Sequence, residues 1–162
     1  MKQLITFSVL VFFSLGCSTV NTQKIEKLEK ELVMVSSPTI NRKETISVAN
    51  KLLKYVPSHP EAHSEKGIAL HHLGKYKEAI DSFDQAIKYN HLVKAFYSLS
   101  PEQHRNALLR QSYYEKAQCL RALGKLEEAL EYFDLAIKHG LDHRYIHHER
   151  TEVLMELGRE LD

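Results

Sequence analysis

Residues 63–90 read HSEKGIALHHLGKYKEAIDSFDQAIKYN, and residues 113–140 read YYEKAQCLRALGKLEEALEYFDLAIKHG. Laid over one another, the two stretches place Gly67 on Ala117, Leu70 on Leu120, Leu73-Gly74 on Leu123-Gly124 and Tyr76 on Leu126. Ala79, Phe83 and Ala86 then fall on Ala129, Phe133 and Ala136. Steps of four and three residues put each trio on one face of a helix. A small residue opposite a phenylalanine lets two helices approach closely while the ring fills the adjacent groove. Gly74 and Gly124 stand where the first helix must end and reverse, a position that favours the left-handed backbone. A third stretch, HERTEVLMELGRELD from His148, repeats the first half of the pattern. Gly124 and Gly158 are 34 residues apart, and Gly74 and Gly124 sixteen further. A period of that size predicts an all-α fold of stacked helix pairs.

These residues resemble the tetratricopeptide repeat, a family of paired antiparallel helices A and B stacked into a superhelix. The copies depart from the family where its early helix A tryptophan is replaced by His63 and Tyr113, and an apolar residue by Lys66 and Lys116. Those changes predict looser outer packing of helix A. The proline that follows helix B in the family is replaced by His91 and Leu141, although Pro57 stands at that place one unit earlier. Cys119 falls on Ala69, a small buried slot, and reads as structural.

Working outward, residues 41–56 carry Ile46, Ala49, Leu52-Leu53 and Val56 in helical register, the second half of a degenerate repeat. Ile25, Leu28, Leu32 and Val35 form a stripe that is either its first helix or a fraying tether. The expected organisation is a signal segment at 1–16, a tether at 17–24, a degenerate repeat at 25–59 and a repeat at 60–93. An insertion at 94–109, a repeat at 110–143 and a partial repeat or capping helix at 144–162 follow. Ser100-Pro101-Glu102-Gln103 has a hydroxyl cap, proline at the first helical position and glutamine three after the cap, which together predict a helix start. The insertion is expected to lengthen both arms of a hairpin, helix B running to about Ser98 and the next helix A starting near Pro101. Phe96 and Tyr97 would then face Leu108 and Leu109.

At the other end, Met1-Lys2-Gln3 precedes twelve uncharged residues, Leu4 to Leu15, and then Ser14-Leu15-Gly16-Cys17 before the chain turns polar. The apolar run is short for a membrane span of about 20 residues and has the size of an export-signal core. This segment resembles a bacterial lipoprotein signal, with Ser14 where leucine is commonest. The resemblance implies cleavage before Cys17 and lipidation of its side chain. Ser18 then favours an outer-membrane location facing the periplasm, the alternatives being another envelope membrane or plain secretion.

Charge narrows the partners. Lys+Arg is 22 against 21 Asp+Glu, so no excess of positive charge suggests nucleic acid. No phosphate loop, no G-x-S-x-G and no Cys-x-x-Cys occurs. Glu78, Asp81, Glu128 and Glu131 alternate with lysines at helical spacing and read as a solvated face. His139, His143, His147 and His148 cluster within ten residues, but zinc would need further ligands and no cysteine is near. A histidine-centred metal site is therefore a minor alternative, and neither enzyme chemistry nor a cofactor is implied.

What the family resemblance implies instead is a concave groove lined by helices A. Its residues would be Glu61, Ser64, Ile68, His71 and His72 from one helix, and Gln111, Tyr114, Gln118, Arg121 and Ala122 from the next. Tyr145, His148, Glu152, Met155 and Glu156 would complete it. Tyr114, Arg121 and Tyr145 stand out because tyrosine and arginine favour interfaces. The family's clamp for a C-terminal carboxylate needs lysine and asparagine where Ser64 and Ile68 stand, so that mode is absent. The expected role is a non-catalytic protein-binding or assembly module held to the membrane by its lipid, with a protein or peptide partner in the envelope. Homo-oligomerisation through an unfinished last repeat is the alternative.

Overall fold

The computed structural model describes residues 20–36, 41–93 and 100–158, and helices are the only extended elements among them. They are α1 (residues 20–35), α2 (Arg42–Tyr55), α3 (Pro60–His72), α4 (Tyr76–Tyr89), α5 (Pro101–Ala122), α6 (Leu126–Lys138) and α7 (Arg144–Glu156). Each packs on the helix before it, and α5 also reaches back to α3. The odd-numbered helices from α3 onward are the A helices and the even-numbered ones are the B helices. The result is an all-α superhelix, as the repeat pattern predicts.

Local sequence explains the boundaries. Pro57 follows α2, and Pro60 opens α3 at a position where its missing N–H is not needed. Leu73 and Leu123 end their helices, and Gly74 and Gly124 turn the chain at φ +71° and +74°. Ser100 caps α5 in a full capping box: its hydroxyl accepts from the Gln103 N–H, and the Gln103 side chain accepts from the Ser100 N–H.

The core is the predicted stripe. Phe83 and Phe133 are fully buried, as are Ala79, Ala86, Ala129 and Ala136. Phe83 lies on Gly67 so closely that no methyl would fit between them. Cys119 is buried, which pushes its thiol up to about 12. At the first unit, Leu28, Leu32 and Val35 of α1 pack on Val48, Ala49 and Leu52 of α2. The Thr45 hydroxyl donates to the Val35 carbonyl at 2.7 Å and ties the two helices end to end. The stripe at 25–35 is thus a docked helix, which begins at residue 20 and takes in part of the expected tether.

The insertion differs from expectation. α4 ends at Tyr89, not near Ser98, and Asn90–Leu92 form a 3₁₀ turn. That tighter turn lets Val93 drop onto Ala86 and Leu108, where it is buried. Only the α5 arm grows, to 22 residues against 13 for α3. The proposed seam of Phe96 and Tyr97 lies outside the described residues, as does Cys17 with the whole signal segment.

The departures of helix A also tighten rather than loosen. His63 stacks on Tyr89 with ring centres 6.0 Å apart, and Tyr113 meets His139 at 5.4 Å. Lys116 is buried, pairs with Asp84 of α4 and donates to the Tyr132 hydroxyl of α6 at 2.8 Å. Its ammonium also lies 4.1 Å from the centre of the Tyr132 ring. One repeat later, Arg150 of α7 reaches Asp134 of α6 at 2.6 Å.

Candidate protein-binding groove

Helices α3, α5 and α7 present one face inward, and the residues on it were named from repeat position alone. Ser64 is buried, its hydroxyl 3.5 Å from that of Ser112. Ile68 is half-buried and packs beside Leu70 and Phe83. His71 meets Glu115 at 2.7 Å, and Gln111 donates to the other oxygen of that carboxylate at 2.7 Å. His72 is exposed on its outer side, and partial desolvation together with the Arg42 charge lowers its affinity for a proton.

Glu61 belongs to a different arrangement at the edge of the face. His59 caps α3 and lies 3.0 Å from Glu29 of α1 and 3.1 Å from Glu61. His104 of α5 is 3.9 Å from the same Glu61. Burial would lower the His59 pKa, but the two carboxylates outweigh it and hold it above its ordinary value. Burial would raise the Glu61 pKa, but the His59 contact, with a backbone hydrogen bond, outweighs it and holds the carboxyl below its ordinary value.

Toward the C-terminal half, a cavity of about 430 Å³ opens between α3, α5 and α7, lined by His71, Gln118, Arg121, Ala122, Phe133, Glu149 and Glu156. Tyr114 is half-buried with its ring against Phe133, and its hydroxyl accepts from the Gln118 amide at 2.7 Å. Burial, with Glu149 beside it, pushes its phenol well above the usual range. Tyr145 is 59% exposed. Its hydroxyl bonds to Glu149, which raises its pKa. Met155 is exposed at 60%, and His148 lies 3.7 Å from Glu152 on the open side.

Arg121 does not stand free as an anchor. Its guanidinium reaches Glu152 at 2.9 Å and Glu156 at 2.5 Å, binding α5 to α7. Reversing its charge would therefore disturb the stack itself. The other histidines are also engaged: His143 caps α7 and His147 lies 2.7 Å from Asp142. Among the described residues no group of three or more His, Cys, Asp or Glu is arranged to hold a metal ion.

Repeat reasoning passed over Glu65, Glu115 and Glu149. They occupy one equivalent position in three A helices, and each is followed by a basic residue, as Glu65-Lys66, Glu115-Lys116 and Glu149-Arg150. The recurrence was visible in the sequence. Burial raises the pKa of Glu65. Glu115 and Glu149 are 8% and 7% exposed. The basic neighbours point the other way, toward the B helices, where Lys116 and Arg150 find Asp84 and Asp134.

Comparison with known proteins agrees with this geometry. Residues 60–91 and residues 111–138 each match the tetratricopeptide repeat. Among solved structures, the first tetratricopeptide domain of Spaghetti (RPAP3) bound to the HSP90 peptide SRMEEVD superposes with a TM-score of 0.59 at 18% identity. That match covers 86% of this chain and 92% of the other. The first such domain of human RPAP3 gives the same score and identity, over 86% and 91% of the two chains. The yeast Sti1 TPR2B domain in its pHsp70 complex scores 0.59 at 19% identity, over 85% and 98%. No curated protein sequence matches the chain. The chain therefore carries two tetratricopeptide repeats, set within a longer all-helical stack that continues their packing at both ends.

Proposed function

We propose that this protein is a binding module without chemistry of its own, which holds a protein or peptide segment against the inner face of α3, α5 and α7. The observation that carries the reading is the open cavity of about 430 Å³ on that face, walled by side chains from all three A helices. Two of the similar folds are titled as complexes with a peptide or with pHsp70, which supports a partner of the same kind here. Exposed Tyr145 and Met155 on α7 supply apolar area of the sort interfaces use.

The sequence of residues 1–17 supports a location as well. An uncharged core ending in Gly16-Cys17 fits lipid attachment at Cys17, and two or more acyl chains anchor a protein firmly. The module would then sit on the bacterial envelope, at the outer membrane and facing the periplasm. No described helix is long and apolar enough to cross a membrane.

A photo-crosslinking side chain placed at Tyr145 should capture a partner in the native envelope, whereas one at Lys88 on α4 should not. Equal capture at both positions refutes the groove. Cys17→Ala should leave an unprocessed or mislocalised chain. Wild-type processing and fractionation in that variant refute the anchor.

A further inference from the structure

The groove carries a buried negative charge with no counter-ion. Glu149 is 93% buried by difference from its 7% exposure, and it lines the cavity. Its hydrogen-bond partners are neutral: the Gln118 amide at 3.0 and 3.2 Å and the hydroxyls of Tyr114 and Tyr145. Among the described residues it forms no ion pair. The one guanidinium in the cavity wall, Arg121, is held by two other carboxylates, Glu152 and Glu156. A carboxylate taken out of water without a cation is costly, and neutral donors offset only part of that cost.

The same repeat position makes this a column rather than a single site. Glu115 stands one A helix earlier, its oxygens facing His71 and Gln111, and Glu65 one earlier again. Burial, with a smaller push from the Glu115 charge, favours the neutral form of Glu65 over the opposing Ser36 hydrogen bond and Arg42 charge. Glu115 and Glu149, in register along a concave face, attract positive charge to it. Tyr145, bonded to Glu149 and 59% exposed, offers an aromatic ring of the kind that also attracts cations.

We propose that the groove takes an extended, cationic segment of a partner protein, with a lysine ammonium or arginine guanidinium seated on Glu149. This inference rests on the groove reading above and specifies the chemistry of its occupant. A charge-assisted contact to a buried carboxylate is worth more than the same contact at an exposed one, so Glu149 should dominate the electrostatic part of the affinity.

The test uses the full-length chain in mild detergent and three labelled peptides of equal length, bearing lysine, glutamine or glutamate at alternate positions. Fluorescence anisotropy should show binding of the lysine peptide above the other two. Glu149→Gln should weaken it at least about tenfold. Glu131→Gln, on the exposed side of α6, should leave it within about twofold. Glu149→Gln keeps the side-chain shape, and its denaturant midpoint, measured beside that of wild type, separates loss of binding from loss of fold. Equal weakening by Glu149→Gln and Glu131→Gln overturns the proposal. If the glutamine or glutamate peptide binds best and Tyr145→Ala abolishes it, the groove stands and its cationic occupant is wrong. If the peptide that binds best does so equally well in Tyr145→Ala, the groove itself is wrong.

Discussion

Gly67→Ala adds one methyl at the closest approach of α3 and α4. Its Cβ would lie 2.6, 2.8 and 2.9 Å from three carbons of the Phe83 ring. Carbon atoms pack comfortably at about 3.5–4.0 Å, so the ring must withdraw by about 1 Å. Phe83 is fully buried, and that withdrawal has to displace α4 or the residues behind it. Overpacking of this kind costs about 1–3 kcal/mol. Replacing glycine inside a helix returns about 0.5–1 kcal/mol. The net expectation is a loss of about 0.5–2 kcal/mol, read as a lower urea midpoint at unchanged slope. Phe83→Leu removes part of the ring that collides, so the double variant should lose at least about 1 kcal/mol less than the sum of the two singles. A Gly67→Ala protein as stable as wild type, or strict additivity with Phe83→Leu, refutes the close-packing argument.

Asp84→Asn strands the buried Lys116 ammonium and should cost about 1–2 kcal/mol in chemical unfolding, less than a fully buried pair because Asp84 is half-exposed. Lys116→Met removes the charge and keeps the bulk, so it should be the milder change, and the opposite order would mean the pair contributes little. His59 has a folded pKa above its unfolded value of about 6.5, so the stability it contributes is complete below that pH and is lost as pH rises through the folded pKa. His63 and His72 are shifted downward and act in the opposite sense, losing stability as pH falls through about 6.5. The difference between wild type and His59→Asn, followed by thermal unfolding from pH 5.5 to 8.5, should therefore shrink with rising pH. A constant difference across that range would show that His59 serves only as a helix cap.

Where the chain was readable, a local rule and the repeat agreed. The Ser100 cap, the turns at Gly74 and Gly124 and the buried trios each needed only neighbouring residues to be recognised. Helix α4 was overextended because Phe83, Ile87 and Tyr97 keep a helical pattern, and periodicity does not register that Val93 is better buried after a turn. Arg121 was misread for a different reason. Residue type marks it as an anchor, but its partners Glu152 and Glu156 lie a full repeat away and hold it across the α5–α7 joint. Lys116 and His63 looked like defects against the family pattern until Asp84 and Tyr89 were placed opposite them. The glutamate column was legible as Glu-Lys, Glu-Lys and Glu-Arg at one position, yet abundant charge elsewhere on these helices hid it. Its burial depends on how three helices face each other, which no single segment encodes.

The nine residues by which α5 exceeds α3 extend it by about 14 Å at 1.5 Å per residue. In a simple solenoid each unit touches only its neighbour, and the array melts from its ends like a zipper. Here the longer arm touches α3, α4 and the 3₁₀ turn at once, with Leu108 on Val93 and His104 near Glu61. It works as a splice plate across one joint of the stack. Opening that joint therefore requires loss of several contacts together, which concentrates cooperativity between α3 and α6 and leaves α1 and α7 as the units that fray. Backbone amides of α4, α5 and α6 should then exchange only through global unfolding, while those of the outer helices exchange by local release. A binding face shared by α3, α5 and α7 thus has one rigid wall and one that can yield to admit its occupant.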